Sequence, residues 1–166
     1  MIDQSIYSGD FFPSLWVSEG LASYFGLTYR DATGSFRAGA VGGKSIELLK
    51  DVKGGGKESR AVLQNAKSAF KSPRGKDGSL VDSVLGVEDP GRFYGENAAM
   101  YYSVSWLVVH YLLHGENGSL AGRFMRYLQL ESRGEGGADA LYAVLELGPA
   151  ELNAATAKYL RGLKSR

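Results

Sequence analysis

Cysteine is absent from the 166-residue chain, which excludes disulfides and thiolate metal sites without separating one redox compartment from another. Histidine occurs only twice. There is no excess of either charge, since the net value is +1, and nothing global argues for nucleic acid or an anionic membrane as partner. A long hydrophobic run is also missing. The strongest, "VSWLVVHYLL" at 104–113, is too short to span a bilayer, so no membrane span is expected. The opening stretch "MIDQSIYSGDFF" has neither a basic n-region nor an apolar h-region and does not read as a signal peptide. No internal repeat or heptad pattern is found.

What is present is an ordinary globular composition, 44% hydrophobic and 22% charged, on a length that suits one domain with a genuine core. Residues 44–77 carry nine Lys/Arg against four Asp/Glu, a local +5. Almost no aromatics are interleaved there, so the stretch is expected to be a solvated helical face rather than a phosphate-binding patch.

Most of the chain reads as helix. Pro13, Ser14 as cap and Gly26 as stop bracket a helix over 14–25. A small β-hairpin is expected near 27–38, turning around Asp31 to Gly34. Two helices follow over 44–52 and 57–70, split by Gly54, Gly55 and Gly56. "SLVD" at 79–82 has the form of a capping box with Asp in place of Glu, opening a helix through Leu85. Residues 96–113 give the strongest pattern, apolar on nearly every side, which predicts a central helix. Helices over 119–132 and 138–147 come next. Gly148 and Pro149 then stop one helix and start the last, which runs to about Leu163. The expected fold is mainly α, a single domain over 1–166 in which a helical bundle packs around the 96–113 helix.

Three motifs bear on chemistry. "AGAVGGKS" at 38–45 fits a loose phosphate-loop pattern, but no buried strand precedes it, so we read a glycine-rich helix entry and no nucleotide site. "HYLLH" places His110 and His114 at i and i+4 on one helical face, a spacing that can chelate zinc. Tyr111 stands where a metallopeptidase carries its catalytic glutamate, and the alternative is a packed His110 with His114 near the exposed helix end. The third motif is "PSLWVSEGLASYF" at 13–25, where Glu19 sits in a segment that otherwise reads as core. A carboxylate in an apolar setting needs a partner, either a neighbouring arginine or loop, or a metal.

The segment "PSLWVSEGLASYFG" resembles the second zinc motif of gluzincin metallopeptidases, and is most similar to that of the peptidase-MA-like family of bacterial proteins of uncharacterised function. The family signature P-x-W-x-x-E-G-x-A-x-Y falls on Pro13, Trp16, Glu19, Gly20, Ala22 and Tyr24. "AAMYYSVSWLVVHYLL" looks like the family's following helix, and "FMRYLQL" and "LNAATAKYLRGL" look like its closing helices.

The resemblance implies the C-terminal helical part of a zinc peptidase that hydrolyses peptides or proteins. Glu19 is then the third zinc ligand, and Tyr101 or Tyr102 the donor to the oxyanion. The family's other two ligands and its catalytic glutamate come from an H-E-x-x-H helix, which is absent from this chain. The chain therefore matches the part that begins just after that helix, and alone it is expected to bind little or no zinc and to be inactive. The alternative is a non-catalytic helical scaffold that keeps the peptidase-like fold. Without the missing helix, the face of Trp16, Glu19, Gly20 and Tyr24 is expected to be left open. A homodimer, or residues 1–12 folding back, would then cover it.

Overall fold

A helix that is apolar all round belongs at the centre of a bundle, and the computed structural model puts one there. It describes residues 13–27, 29–30, 36–39 and 55–163. In chain order these form α1 (Leu15–Gly26), the two-residue strands β1 (Tyr29–Arg30) and β2 (Phe36–Arg37), α2 (Gly55–Lys71), α3 (Pro73–Asp77), α4 (Leu80–Leu85), α5 (Pro90–Phe93), α6 (Ala98–His114), a short 3₁₀ turn (Gly115–Gly118), α7 (Ala121–Glu131), α8 (Ala138–Leu145) and α9 (Pro149–Gly162). The architecture is mainly helical.

The central helix is α6. Residues 103–112 are all buried, and Val104, Trp106, Leu107, Val108, Val109 and Leu112 are fully so. The longest packing seams on it come from α1 and α2, with α4, α7 and α9 closing the rest. Each neighbour buries one stripe: Leu63, Ala66 and Ala69 of α2, Phe124 and Tyr127 of α7, Leu152 and Leu160 of α9. α6 ends where Glu116, Asn117 and Gly118 all take positive φ, a conformation that cannot continue a right-handed helix.

α1 crosses α6 closely because Gly20 has no side chain. A Cβ there would lie 2.8 Å from the Ser105 carbonyl oxygen and 2.8 Å from Val109 Cγ2. Gly20→Ala gains up to about 1 kcal/mol of helix propensity. Forcing the two helices apart costs about 1–3 kcal/mol, so a net loss of stability is expected in urea unfolding. A neutral or stabilising result would mean that α1 can slide on α6.

Several local expectations need correction. The second of the two helices expected around Gly54 to Gly56 starts at Gly55 rather than 57 and runs to Lys71 as α2. Ser79 precedes α4 but forms no capping box: its backbone is already helical (φ −97, ψ −2) and its hydroxyl is turned away from the helix to donate to Asp77 Oδ1 at 2.7 Å. Ser14 likewise forms no cap on α1; its side chain is taken by Glu131, described below. α8 stops at Leu145 rather than 147, since Glu146 turns left-handed (φ 57) ahead of Gly148. Gly148 instead opens α9, with its N–H donating to Glu151 Oε2 at 2.7 Å. The short helices α3 and α5 were not expected. Each starts at a proline behind a capping side chain, Ser72 for α3 and Asp89 for α5.

β1 and β2 pair antiparallel, Tyr29 with Arg37 and Arg30 with Phe36, inside the 27–38 stretch where a hairpin was expected. The turn of that hairpin, the 44–52 helix, residues 1–12 and all but Ala38 and Gly39 of "AGAVGGKS" lie outside the described residues.

Candidate functional site

Glu19 sits in the middle of α1. Trp16, Gly20 and Tyr24 of the same helix are buried, while Glu19 is only half-covered. Its carboxylate faces two other elements. The hydroxyl of Tyr94, the residue that ends α5, donates to Glu19 Oε1 at 2.6 Å. Tyr102, on the first turns of α6, packs against Tyr94 and lies near enough for the carboxylate's charge to act on it. The two tyrosine rings stand 6.2 Å apart, and both pack edge-on against Phe93, at 5.4 and 5.6 Å.

The carboxylate sets the titration of its neighbours. Tyr94 is pushed up to about 12, first by its hydrogen bond to Glu19 and then by burial and the negative charge. Tyr102 is raised by burial, with the negative charge of Glu19 adding to it. In Glu19→Gln, Tyr94 should therefore fall back toward the ordinary phenol value of 10.0 in an NMR pH titration. An unchanged Tyr94 would mean that the contact is not made in solution.

The two tyrosines named from the resemblance part company. Tyr102 packs against Phe93 and Tyr94, near enough to Glu19 to feel its charge. Tyr101 is buried, stacks on Phe93 at 5.2 Å, and its hydroxyl accepts from Arg92 Nε at 3.2 Å.

His110 and His114 do lie on one face of α6, with ring centroids 4.7 Å apart. Both nitrogens of His110 are already used. Nε2 lies 2.9 Å from the Gly39 carbonyl oxygen, which can only accept, so Nε2 carries the proton. Nδ1 then accepts from the Tyr159 hydroxyl at 2.8 Å. Burial lowers His110 to about 4, helped by His114, so the ring is neutral. His114 Nε2 is 2.6 Å from the Tyr24 hydroxyl. Gly39, held at φ +70, lies so close to Tyr24 that a Cβ would enter its ring. In this arrangement the pair joins α1, α6, α9 and the Gly39 segment, and neither ring nitrogen of His110 is open to a metal.

Among the described residues no three His, Asp or Glu side chains gather into a metal-binding group. Zinc takes three or four protein ligands. The described residues, with Glu19 as one carboxylate, do not by themselves fit a zinc ion.

Of the face expected to be left open, Trp16, Gly20 and Tyr24 are buried and only Glu19 is half-exposed. Trp16 is fully buried, with its ring 5.8 Å from Tyr127 and 6.4 Å from Phe124 of α7. Gly20 lies against α6, and Tyr24 is buried beside His110 and His114. The argument for a homodimer through this face required exposed apolar surface there, and these residues of α1 do not provide it.

One charged residue escaped notice in the sequence. Glu131, the last residue of α7, is 3% exposed. Its carboxylate accepts from Ser14 N–H (2.9 Å), Ser14 Oγ (2.7 Å), Gly137 N–H (3.1 Å) and the Tyr127 hydroxyl. Burial alone would raise the group, but the hydrogen bonds from Tyr127, Ser14 and Gly137 outweigh it and hold the carboxyl below its usual range. The signal was available: Phe124, Tyr127, Leu128 and Glu131 share one helical stripe, so the carboxylate falls on the buried side.

No family model matches the chain, and no curated protein or solved structure is significantly similar to it.

Proposed function

We propose that this chain is the glutamate-bearing, C-terminal helical part of a gluzincin-like zinc peptidase domain, inactive as it stands. The observation that supports this reading is the nearness of Glu19 to Tyr102, whose phenol is raised by burial and by the carboxylate's charge. The resemblance assigns one to the metal and offers the other as oxyanion donor, and the two half-buried residues come from separate helices. The remaining ligands would come from an H-E-x-x-H segment that this chain does not contain. A peptide or protein would be the substrate of the complete domain.

A second reading is a non-catalytic helical scaffold with the same fold. The closed packing over Trp16 favours it, because the α1 core needs no further helix.

The two readings differ in zinc content. The chain alone should carry no stoichiometric zinc by elemental analysis and cleave no peptide. Extended by the sequence encoded upstream, it should hold stoichiometric zinc that is lost in Glu19→Gln. If this chain alone binds zinc stoichiometrically, and loses it when His110 and His114 are replaced, the metal belongs to the "HYLLH" pair and the proposal fails. If the extended protein holds no zinc, the scaffold reading stands.

A further inference from the structure

His110 is covered on one side by chain that is not helix. From α1, α6 and α9 the rings of Tyr24, Trp106, His114 and Tyr159 close it in, with centroids 6.0, 5.1, 4.7 and 5.7 Å away. The further contact is Gly39, two residues past β2. Its carbonyl accepts from His110 Nε2 at 2.9 Å, and its N–H donates to the Tyr24 carbonyl at 3.1 Å.

Gly39 lies flush on these rings. It is left-handed (φ +70), and a Cβ there would run into the Tyr24 ring and stand 3.1 Å from His110 Cδ2. A glycine at this position lets backbone seal the imidazole, which is 6% exposed.

The seal suits the neutral ring and not the charged one. Nδ1 accepts from the Tyr159 hydroxyl at 2.8 Å while Nε2 keeps its proton for Gly39. A proton on Nδ1 turns that acceptor into a donor and places a positive charge in a buried setting. The titratable groups facing the ring are Tyr24 of α1, His114 of α6 and Tyr159 of α9. Among the described residues no carboxylate of these helices, or of α2, bears on its charge, and a charged His114 repels it. Water is the partner left. It reaches the ring either by parting packed helices or by lifting Gly39, and lifting Gly39 breaks two hydrogen bonds and moves no core side chain.

We propose that Gly39 is an acid-released seal: protonation of His110 lifts this segment from Tyr24 and the imidazole, opening the ring to solvent while the helical bundle stays folded. The seal belongs to the chain as it exists and does not rest on the peptidase reading.

The test is amide hydrogen exchange by NMR at pH 7 and pH 5, corrected for the intrinsic rate at each. The Gly39 amide should be at least about tenfold less protected than that of Val108 in α6 at both values, because it opens without global unfolding. From pH 7 to 5 its protection should fall roughly twentyfold, as linkage requires of a ring that titrates at 6.5 when open and about 4 when sealed. His110→Gln keeps an N–H for the Gly39 carbonyl and does not titrate, so the fall should vanish in that variant. Gly39→Ala forces the seal off at neutral pH, and His110, followed by its ring protons, should then titrate near 6.5 rather than about 4. Four results would each overturn the proposal: Gly39 protection equal to that of Val108, protection unchanged by pH, a fall that persists in His110→Gln, or a His110 that stays low in folded Gly39→Ala.

Discussion

Glu131→Ala is expected to destabilise the fold by about 3–5 kcal/mol in urea unfolding, although the residue touches neither Glu19 nor the central helix's apolar seam. The carboxylate gathers donors from three places: the start of α1, the Tyr127 ring of α7, and the loop before α8. Its loss leaves Ser14 N–H, Ser14 Oγ, Tyr127 Oη and Gly137 N–H without their acceptor in a buried setting. Each such orphan costs about 1–3 kcal/mol, less whatever water can recover. Glu131→Gln keeps one acceptor oxygen but turns N–H groups toward donors, so roughly 1.5–3 kcal/mol is expected for it. A double-mutant cycle with Ser14→Ala should show coupling above about 0.5 kcal/mol. A loss below about 1 kcal/mol for Glu131→Ala would mean that α1 is fixed by its packing on α6 alone.

Acid should weaken the fold well before the carboxylates titrate. His110 has an ordinary value of 6.5 and is lowered to about 4 in the folded chain, chiefly by burial. The unfolded state therefore binds the proton first. Stability is fully present above about pH 6.5 and is lost progressively as pH falls toward 4, below which both states carry the proton. At about 1.36 kcal/mol per pH unit the full effect is roughly 3 kcal/mol. Among the described residues, the groups around the ring are Tyr24 of α1, Trp106 and His114 of α6, Tyr159 of α9 and the Gly39 carbonyl, none of them an acid that could offset the charge. His114, also lowered by burial, acts in the same direction. Glu131 is distinct, because its contribution is lost only below its ordinary carboxyl value of 4.5. Urea unfolding between pH 7 and 5 isolates the histidines. His110→Phe should flatten most of the slope in that window, and a slope unchanged in that variant would move the effect to other groups.

The central helix was legible because an unbroken apolar surface leaves it no solvent side. The amphipathic helices around it were legible from their period, and the α9 start from Gly148–Pro149. Side-chain hydroxyls were not. Ser14 and Ser79 stand where N-caps belong, yet each spends its side chain elsewhere, on Glu131 and Asp77. Sequence offers the candidate donor, but the competing acceptor is known only in three dimensions. Ser14 and Glu131 are brought together across 117 residues.

Glu19 was singled out as a carboxylate needing a partner, and the hydrogen-bond partner it has among the described residues is the Tyr94 phenol. Tyr102 came from the resemblance. Tyr94 could not be anticipated, since it reaches Glu19 only because the unforeseen helix α5 ends beside α1. Tyr101 and Tyr102 separate because adjacent positions on α6 diverge by about 100°, one toward Arg92 and the other toward Tyr94.

The central claim is that Glu19 occupies the third-ligand position of a zinc peptidase domain whose histidines come from an H-E-x-x-H helix. The most direct measurement is the nucleotide sequence of the gene immediately upstream of the codon for Met1. The account predicts an open frame, continuous with this chain, that encodes H-E-x-x-H a few tens of residues before Glu19. A stop codon in that frame, with no H-E-x-x-H between it and Met1, would contradict it.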